Sequence, residues 1–240
     1  MSLPLFLVDQ LPAGEHFELG GPEGRHAAAV QRLQPGEELL LSDGQGAFAT
    51  ARVQAAGKSS LSLLLTHRGY SESPSPRLVV AQGLPKGDRG ELAVQAMTET
   101  GVDAIIPWAA QRSVTQWRGD RGDKAREKWA STAREAAKQS RRYRVPPISD
   151  LQSTKQLAAS LDGPAFVLHE DAKERLSTIG LPEAEVITLI IGPEGGIDDS
   201  EIAAFAARGA IPVKLGDTVL RTSTAGVAAL SVLSTRLGRW

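Results

Sequence analysis

The sequence predicts an α/β protein with a mostly parallel sheet from about residue 75 onward, preceded by a small β-rich unit with one helix. Three observations carry this. The first seventy or so residues hold apolar runs around a hairpin-like turn. "SESPSPRL", residues 71 to 78, is a Pro/Ser stretch at which the texture changes, so the domains are expected at 1–72 and 73–240. Beyond it, short apolar runs alternate with helical patterns, the order that builds a parallel sheet.

Taken in order, "EGRHAAAVQRLQPGE" spaces its alanines, Val30 and Leu33 as a helix does and stops at Pro35-Gly36. "EELLLSDGQGAFATARVQAA" reads as two strands around Asp43 to Gly46, and "SSLSLLLTHRG" as a third. "RLVVAQGL" (77 to 84) reads as a buried strand. "GDRGELAVQAMTETG" then offers Asp88 as N-cap, Glu91 three positions later and Gly101 as the stop. "VDAIIPWA" is the next strand. The long helix that follows has Ala125, Trp129, Ala133, Ala136 and Ser140 on one face. "AFVLHE" (165 to 170) and "VITLIIG" (186 to 192) are long enough for buried parallel strands and too short for helices, and Ile211 to Leu215 reads as a further short strand.

Composition narrows the chemistry. With 41% hydrophobic and 23% charged residues, the chain of 240 residues can build a real core. It has no cysteine, which removes disulfides, thiolate catalysis and Cys-ligated metal. His16, His26, His67 and His169 are scattered, so no metal site is expected. No run approaches the roughly 18 apolar residues of a membrane span, and Pro4 and Asp9 interrupt what a secretory leader would need. A cytoplasmic protein with no membrane partner is the expectation. The net charge of −1 is uneven: Arg112 to Arg144 holds eleven Lys or Arg against four acids, a local +7 that leaves −8 elsewhere. Such a field attracts polyanions, and arginine's planar fork suits phosphate; a solvated helix face with its own ion pairs is the plainer reading.

Two stretches invite a ligand. Gly192-Pro193-Glu194-Gly195-Gly196 follows a strand and precedes a helix that Asp198, Asp199 or Ser200 can cap. Its glycines permit positive φ and let a ligand approach the backbone. It is neither a dinucleotide fingerprint nor a Walker loop, Pro193 removes a donor, and a rigid corner without ligand is the alternative. In "VKLGDTVLRTSTAGVAALSVL" a strand breaks at Gly216 and an apolar loop (Val219, Leu220) presents Arg221. Thr222 or Ser223 can then cap a helix starting Thr224, Ala225, Gly226. Helix propensity explains the alanines but not Gly226, whereas close approach of a neighbour does.

"GPEGG", "LG" and "VLRTSTA", with "QGLPKGDRGELAVQAMTETGVDAIIP" and "EAAKQSRRYRVPPI", resemble the small-subunit ribosomal RNA uridine-N3 methyltransferase family (RsmE) of the SPOUT superfamily. The likeness spans nearly the whole chain. It implies a PUA-like RNA-binding β-barrel followed by a SPOUT domain with a deep trefoil knot. It also implies a homodimer, and S-adenosyl-L-methionine held by three loops. Position by position these are Leu168 and His169; Ile191, Gly192, Pro193, Glu194, Gly195 and Gly196; and Leu215, Gly216, Val219, Leu220 and Arg221, with Thr224 beside them. The chain has Ser223 where the family often has glutamate, so no carboxylate base is carried over to that position.

The implied reaction is methylation of N3 of a uridine in 16S ribosomal RNA of the small subunit. Arg221 is expected to orient the base or stabilise charge on its carbonyl oxygens, with an ion pair to Glu194 as the structural alternative. Glu194 is either the proton acceptor or a pin for its loop. Arg112, Arg118, Arg141, Arg142 and Arg144, with Arg25 and Arg32 on the first unit, are the expected RNA contacts. Trp108, Trp117 and Tyr143 either stack on a flipped base or fill the core. The rivals are methylation of a ribose 2′-oxygen or a purine nitrogen, and a non-catalytic RNA-binding ribosome-assembly factor.

Overall fold

The computed structural model describes residues 3–240. The chain divides into two compact units: one runs to Ser73 and includes Ala137–Val145, and the other comprises Pro74–Ala136 and Pro146–Trp240.

The first unit holds β1 (Leu5–Leu7), β2 (His16–Leu19), α1 (Gly21–Arg25) running into a π-helical turn at His26–Val30, β3 (Glu38–Ser42), β4 (Ala47–Ala56) and β5 (Leu61–Tyr70). The five strands pair in the order β1-β3-β4-β5-β2, parallel between β1 and β3 and antiparallel elsewhere. Alternation along β5 sends Leu61, Leu63 and Leu65 inward onto Phe6, Leu39 and Leu41, one face of the sheet forming the core. β1 and β2 escaped the sequence reading because each is too short to show a period.

Ala137–Val145 joins this unit for reasons visible in its contacts. The buried Lys138 ammonium meets Glu23 at 2.8 Å, and Tyr143 stacks on Phe48 with centroids 4.1 Å apart. The Ser42 hydroxyl and the Gly46 N–H both donate to the Tyr143 carbonyl. Arg144 donates to the Ser71 carbonyl and the Tyr70 hydroxyl, and its guanidinium lies over the Tyr70 ring.

The second unit holds β6 (Arg77–Gly83), α2 (Arg89–Glu99), β7 (Ala104–Ala109), α3 (Gly119–Gln139, its last residues counted with the first unit) and β8 (Gln152–Ser153). There follow α4 (Thr154–Ser160), β9 (Ala165–Leu168), β10 (Glu174–Arg175), β11 (Val186–Ile191), α5 (Asp199–Ala206), β12 (Ile211–Lys214) and α6 (Thr222–Arg236). Seven strands form one all-parallel sheet in the order β10-β12-β9-β11-β6-β7-β8. β6 and β11, at its centre, are buried on both faces, which is why they read as unbroken apolar runs. The α/β class with a parallel sheet is as expected, and α3 buries Trp129, Ala133 and Ala136 as its spacing required.

Gly226 has a steric cause. A Cβ there would lie 2.4 Å from Met97 Sδ on α2 and 3.0 Å from Ile191 Cδ1 on β11. Only a residue without a side chain lets α6 settle against both. Gly226→Val is therefore expected to lower stability by about 1–3 kcal/mol, read as a reduced urea midpoint. A double-mutant cycle with Met97→Ala should show favourable coupling of about 0.5–3 kcal/mol; simple additivity would refute the steric cause.

Candidate active site

In open parallel sheets ligands bind outside the carboxyl ends of the strands. The carboxyl ends of β9, β11 and β12, supplying Leu168, Ile191 and Lys214, border a cleft of about 670 Å³. The loops that leave these ends complete it: His169, Glu170 and Asp171 after β9, Gly192 to Ile197 after β11, and Leu215, Gly216 and Thr218 to Arg221 after β12. The glycine turn and the leucine-arginine loop, far apart in sequence, thus face one space. Of the expected cofactor-contacting residues, Leu168, His169, Ile191, Gly192, Pro193, Glu194, Gly195, Gly196, Leu215, Gly216, Val219, Leu220 and Arg221 all line it. Thr224 is the exception. Its hydroxyl turns back to the Arg221 carbonyl at 3.1 Å, and Thr222 and Ala225, one helical turn apart, take the lining positions.

The turn after β11 is packed closely enough to need its glycines. Gly196 has φ +75°, a left-handed conformation that glycine adopts without strain. A Cβ on Gly192 would lie 2.7 Å from Ile197 Cγ1. The following helix is closed by a capping box: Asp198 receives the Ser200 N–H at 3.1 Å, and Glu201 receives the Asp198 N–H at 3.2 Å. Buried Glu201 also accepts from the Gln111 N–H and the Thr154 hydroxyl, so one carboxylate fixes the turn to the segment after β7.

Thr222 is a residue that sequence reasoning passed over. It was weighed only as a cap, whereas Arg221 occupies the N-cap position and Thr222 opens α6. Its buried hydroxyl donates to the Gly192 carbonyl at 2.7 Å and accepts from the Gln82 amide at 2.9 Å. It thereby ties the end of β6, the glycine turn and the start of α6. A threonine followed by small residues was the available signal, but its partners lie 30 and 140 residues away. Arg89 was also missed: it lines the cleft and pairs with Glu194.

The electrostatics correct two expectations. Glu194 pairs with Arg89 at 2.8 Å and accepts the Lys86 N–H at 3.1 Å, so its partner is not Arg221. Burial pushes the Glu194 carboxyl up. Its own N–H, the Arg89 guanidinium and the Lys86 N–H outweigh that and hold it below the usual carboxylate range. A carboxylate held down in this way is a weak base and a good pin. Arg221 lines the cleft, is exposed, and makes no side-chain hydrogen bond or ion pair among the described residues.

The expected RNA contacts divide. Arg112 belongs to the cleft wall, with Nη2 3.0 Å from Asp198. The Ser200 hydroxyl and N–H, aided by Arg112, keep the Asp198 carboxyl below its ordinary value. Arg144 is occupied by Ser71 and Tyr70, and Arg142 is half-buried and engaged. Arg25, Arg32, Arg118 and Arg141 are exposed and carry no side-chain partner among the described residues. The three aromatics serve packing: Trp108 is buried edge-on to Phe205, Trp117 is edge-on to Trp129, and Tyr143 is stacked on Phe48. Among the described residues no group of three or more His, Cys, Asp or Glu could hold a metal, and no helix is long and apolar enough to cross a membrane.

If Thr222 joins the loops, removing its hydroxyl should leave the Gly192 carbonyl without its donor and the Gln82 amide short of an acceptor. Thr222→Val is expected to cost about 1–3 kcal/mol in a urea titration, and Thr222→Ser much less. Equal losses in both variants would assign the effect to packing.

Comparison with known proteins agrees with this geometry. Residues 71–234 match the RNA methyltransferase domain and residues 19–66 the RNA methyltransferase PUA domain. The ribosomal RNA small subunit methyltransferase E of Mycobacterium bovis is 42% identical, over 100% of this chain and 94% of that protein. The Bacillus subtilis protein of that name is 32% identical over 94% and 92%. The Neisseria gonorrhoeae methyltransferase E, crystallised with S-adenosyl methionine, superposes with a TM-score of 0.88 at 28% identity, covering 98% of both chains. With an RNA methyltransferase domain over two thirds of its length and relatives this similar end to end, the chain belongs to the ribosomal RNA small subunit methyltransferase E family.

Proposed function

We propose that this chain transfers a methyl group from S-adenosyl-L-methionine to N3 of a uridine in 16S ribosomal RNA of the small subunit. The observation that carries the reading is the single cleft in which the glycine turn, the leucine-arginine loop and an unpaired Arg221 meet. The residues present fit the cofactor. Leu168, Ile191, Val219 and Leu220 offer apolar surface for an adenosine, and Glu170 and Asp171 offer acceptors for hydroxyl or ammonium groups. When bound, the sulfonium supplies an electrophilic methyl group for in-line displacement.

The chain's own contribution is alignment and charge. The Arg89–Glu194 pair and the Thr222 hydroxyl hold two loops fixed, so that donor and acceptor meet without a search. Uridine N3 becomes nucleophilic as its proton leaves, and the ring turns anionic. Arg221 is the cleft cation without a carboxylate partner, and it serves to orient the base and stabilise that charge. Glu194 acts as the pin, and the proton passes to water or hydroxide. Arg25, Arg32, Arg118 and Arg141 supply phosphate contacts.

The same reading includes a knotted path for the last segments and a homodimer in the cytoplasm. Val219 is 75% exposed and Leu220 39% exposed, and both line the cleft. A second copy covering this apolar surface would exclude water from the site.

The test is labelled S-adenosyl-L-methionine with small subunits from a strain lacking this protein. Label is expected as 3-methyluridine, and Arg221→Ala should lower kcat by roughly 10²–10³. Methyl on a ribose or a purine would overturn the position. Wild-type protein that binds no cofactor in calorimetry would overturn catalysis.

Glu194 sets a pH expectation. Because its folded pKa is lowered, the stabilisation it gives is complete above the ordinary carboxylate value of about 4.3 and is lost as pH falls through the lower folded value. Between about pH 6 and 9 it stays ionised, so Glu194→Gln should keep the wild-type shape of the kcat profile while lowering its height. Loss of a limb of that profile in the variant would restore Glu194 as the base.

A further inference from the structure

A second cleft, of about 300 Å³, opens beside the first, between the end of β7 and the start of α3. Gln111, Ser113, Gln116, Trp117, Arg118 and Leu151 line it. The Ser113 hydroxyl is buried and has no hydrogen-bond partner, a state that costs free energy unless a ligand relieves it. Among the described residues the Gln116 amide and the Arg118 guanidinium make no side-chain hydrogen bond either.

The segment that carries these groups is held from several sides. The Thr115 hydroxyl donates to the Pro85 carbonyl at 2.7 Å, Gln111 N–H to Glu201 at 2.9 Å, and Ser113 N–H to the Ala110 carbonyl at 2.9 Å. The indole of Trp117 is braced edge-on against Trp129. Polar groups without partners on a braced segment make a prepared site rather than a loose loop.

Its position names the ligand. Arg112 lines the first cleft, and its two neighbours Gln111 and Ser113 line the second, so one thickness of chain separates them. The two clefts thus border one short stretch of chain, an arrangement suited to adjacent nucleotides of one strand. An aromatic and a leucine for a ring face, with a hydroxyl and two amides for its polar edge, are what single-stranded base recognition uses.

We propose that this second cleft seats a nucleobase flanking the methylated uridine, with Ser113 and Gln116 reading its edge. The inference rests on the RNA methyltransferase reading. The hydroxyl and amides contact the base and leave S-adenosyl-L-methionine to the first cleft. Sequence context around the target is thereby chosen by residues that do not touch the reacting atoms.

The test is methyl transfer to unmodified small subunits by the full-length protein, its Ser113→Ala/Gln116→Ala double variant and Gln116→Ala alone. The double variant should raise KM for subunits about tenfold with kcat within a factor of about two. Its calorimetric Kd for S-adenosyl-L-methionine and its melting temperature should match wild type. A base contact also leaves the slope of log(kcat/KM) against log salt unchanged, because no phosphate contact is lost. An unchanged KM overturns the proposal, as does a weakened cofactor Kd, which would place these residues in the first cleft. A shallower salt slope assigns the cleft to phosphate instead and overturns it too. Should the double variant melt early, the exposed Gln116→Ala alone must still raise KM. Failure of wild-type protein to methylate would instead overturn the functional reading on which this one rests.

Discussion

The site depends on one hydroxyl. Thr222 Oγ1 sits between the Gln82 amide and the Gly192 carbonyl, and these groups belong to segments that meet only in the folded chain. Because it is buried, each partner would be left unsatisfied without it, so the three segments are held in one arrangement rather than several. The Gln82 amide also reaches the Gly83 carbonyl, next to the place where Pro193 packs. A Cβ on Gly83 would lie 2.8 Å from Pro193 Cδ, so this junction admits glycine and little else. Sterics and hydrogen bonding here enforce the same geometry.

From that junction the electrostatics of the cleft follow. Two of its three arginines are committed: Arg89 to Glu194, Arg112 to Asp198. The glycine turn is thereby pinned at both ends by ion pairs whose acids lie within or just beyond it. Both pairs are partly exposed, so their contribution is positional more than energetic. Among the described residues, Arg221 is the arginine of the cleft wall left without an acidic partner. A cation left without a partner at the first residue before a helix has no capping or pairing function to explain it. The proposed function gives it one, the stabilisation of a developing anion.

The sequence showed the sheet better than the site. β6, β9 and β11 lie at or near the centre of the sheet, and burial on both faces writes them as apolar runs that survive without context. The two-residue strands β8 and β10 and the three-residue β1 carry no period, and pairing alone defines them. Glycines and the leucine-arginine loop were legible because close approach demands unusual residue types. Thr222, Arg89 and the role of Glu194 were not. Their functions lie in partners about 30 to 140 positions away, and nothing local to a threonine or a glutamate announces such a partner. Tyr143 illustrates the converse: its residue type suggested stacking on a base, and it does stack, on Phe48.

The basic segment shows how far composition overstates a field. Its +7 is answered by acids that lie outside it in sequence: Asp198 at Arg112, Asp150 at Arg126, Glu91 at Lys128 and Glu23 at Lys138. Counting charge along the chain therefore assigns to solvent what folding assigns to ion pairs. The cations left over are instructive because of where they stand. Arg121 and Lys124 occupy the first turns of α3, beside Asp120 and Asp123, with Arg118 just before it, and none of the three cations has a side-chain partner among the described residues. Cations at a helix N-terminus oppose the helix dipole, so the stability of α3 gives no reason for them. Arg118 lines the second cleft, and under the proposed function the phosphates of a strand entering there would meet its charge.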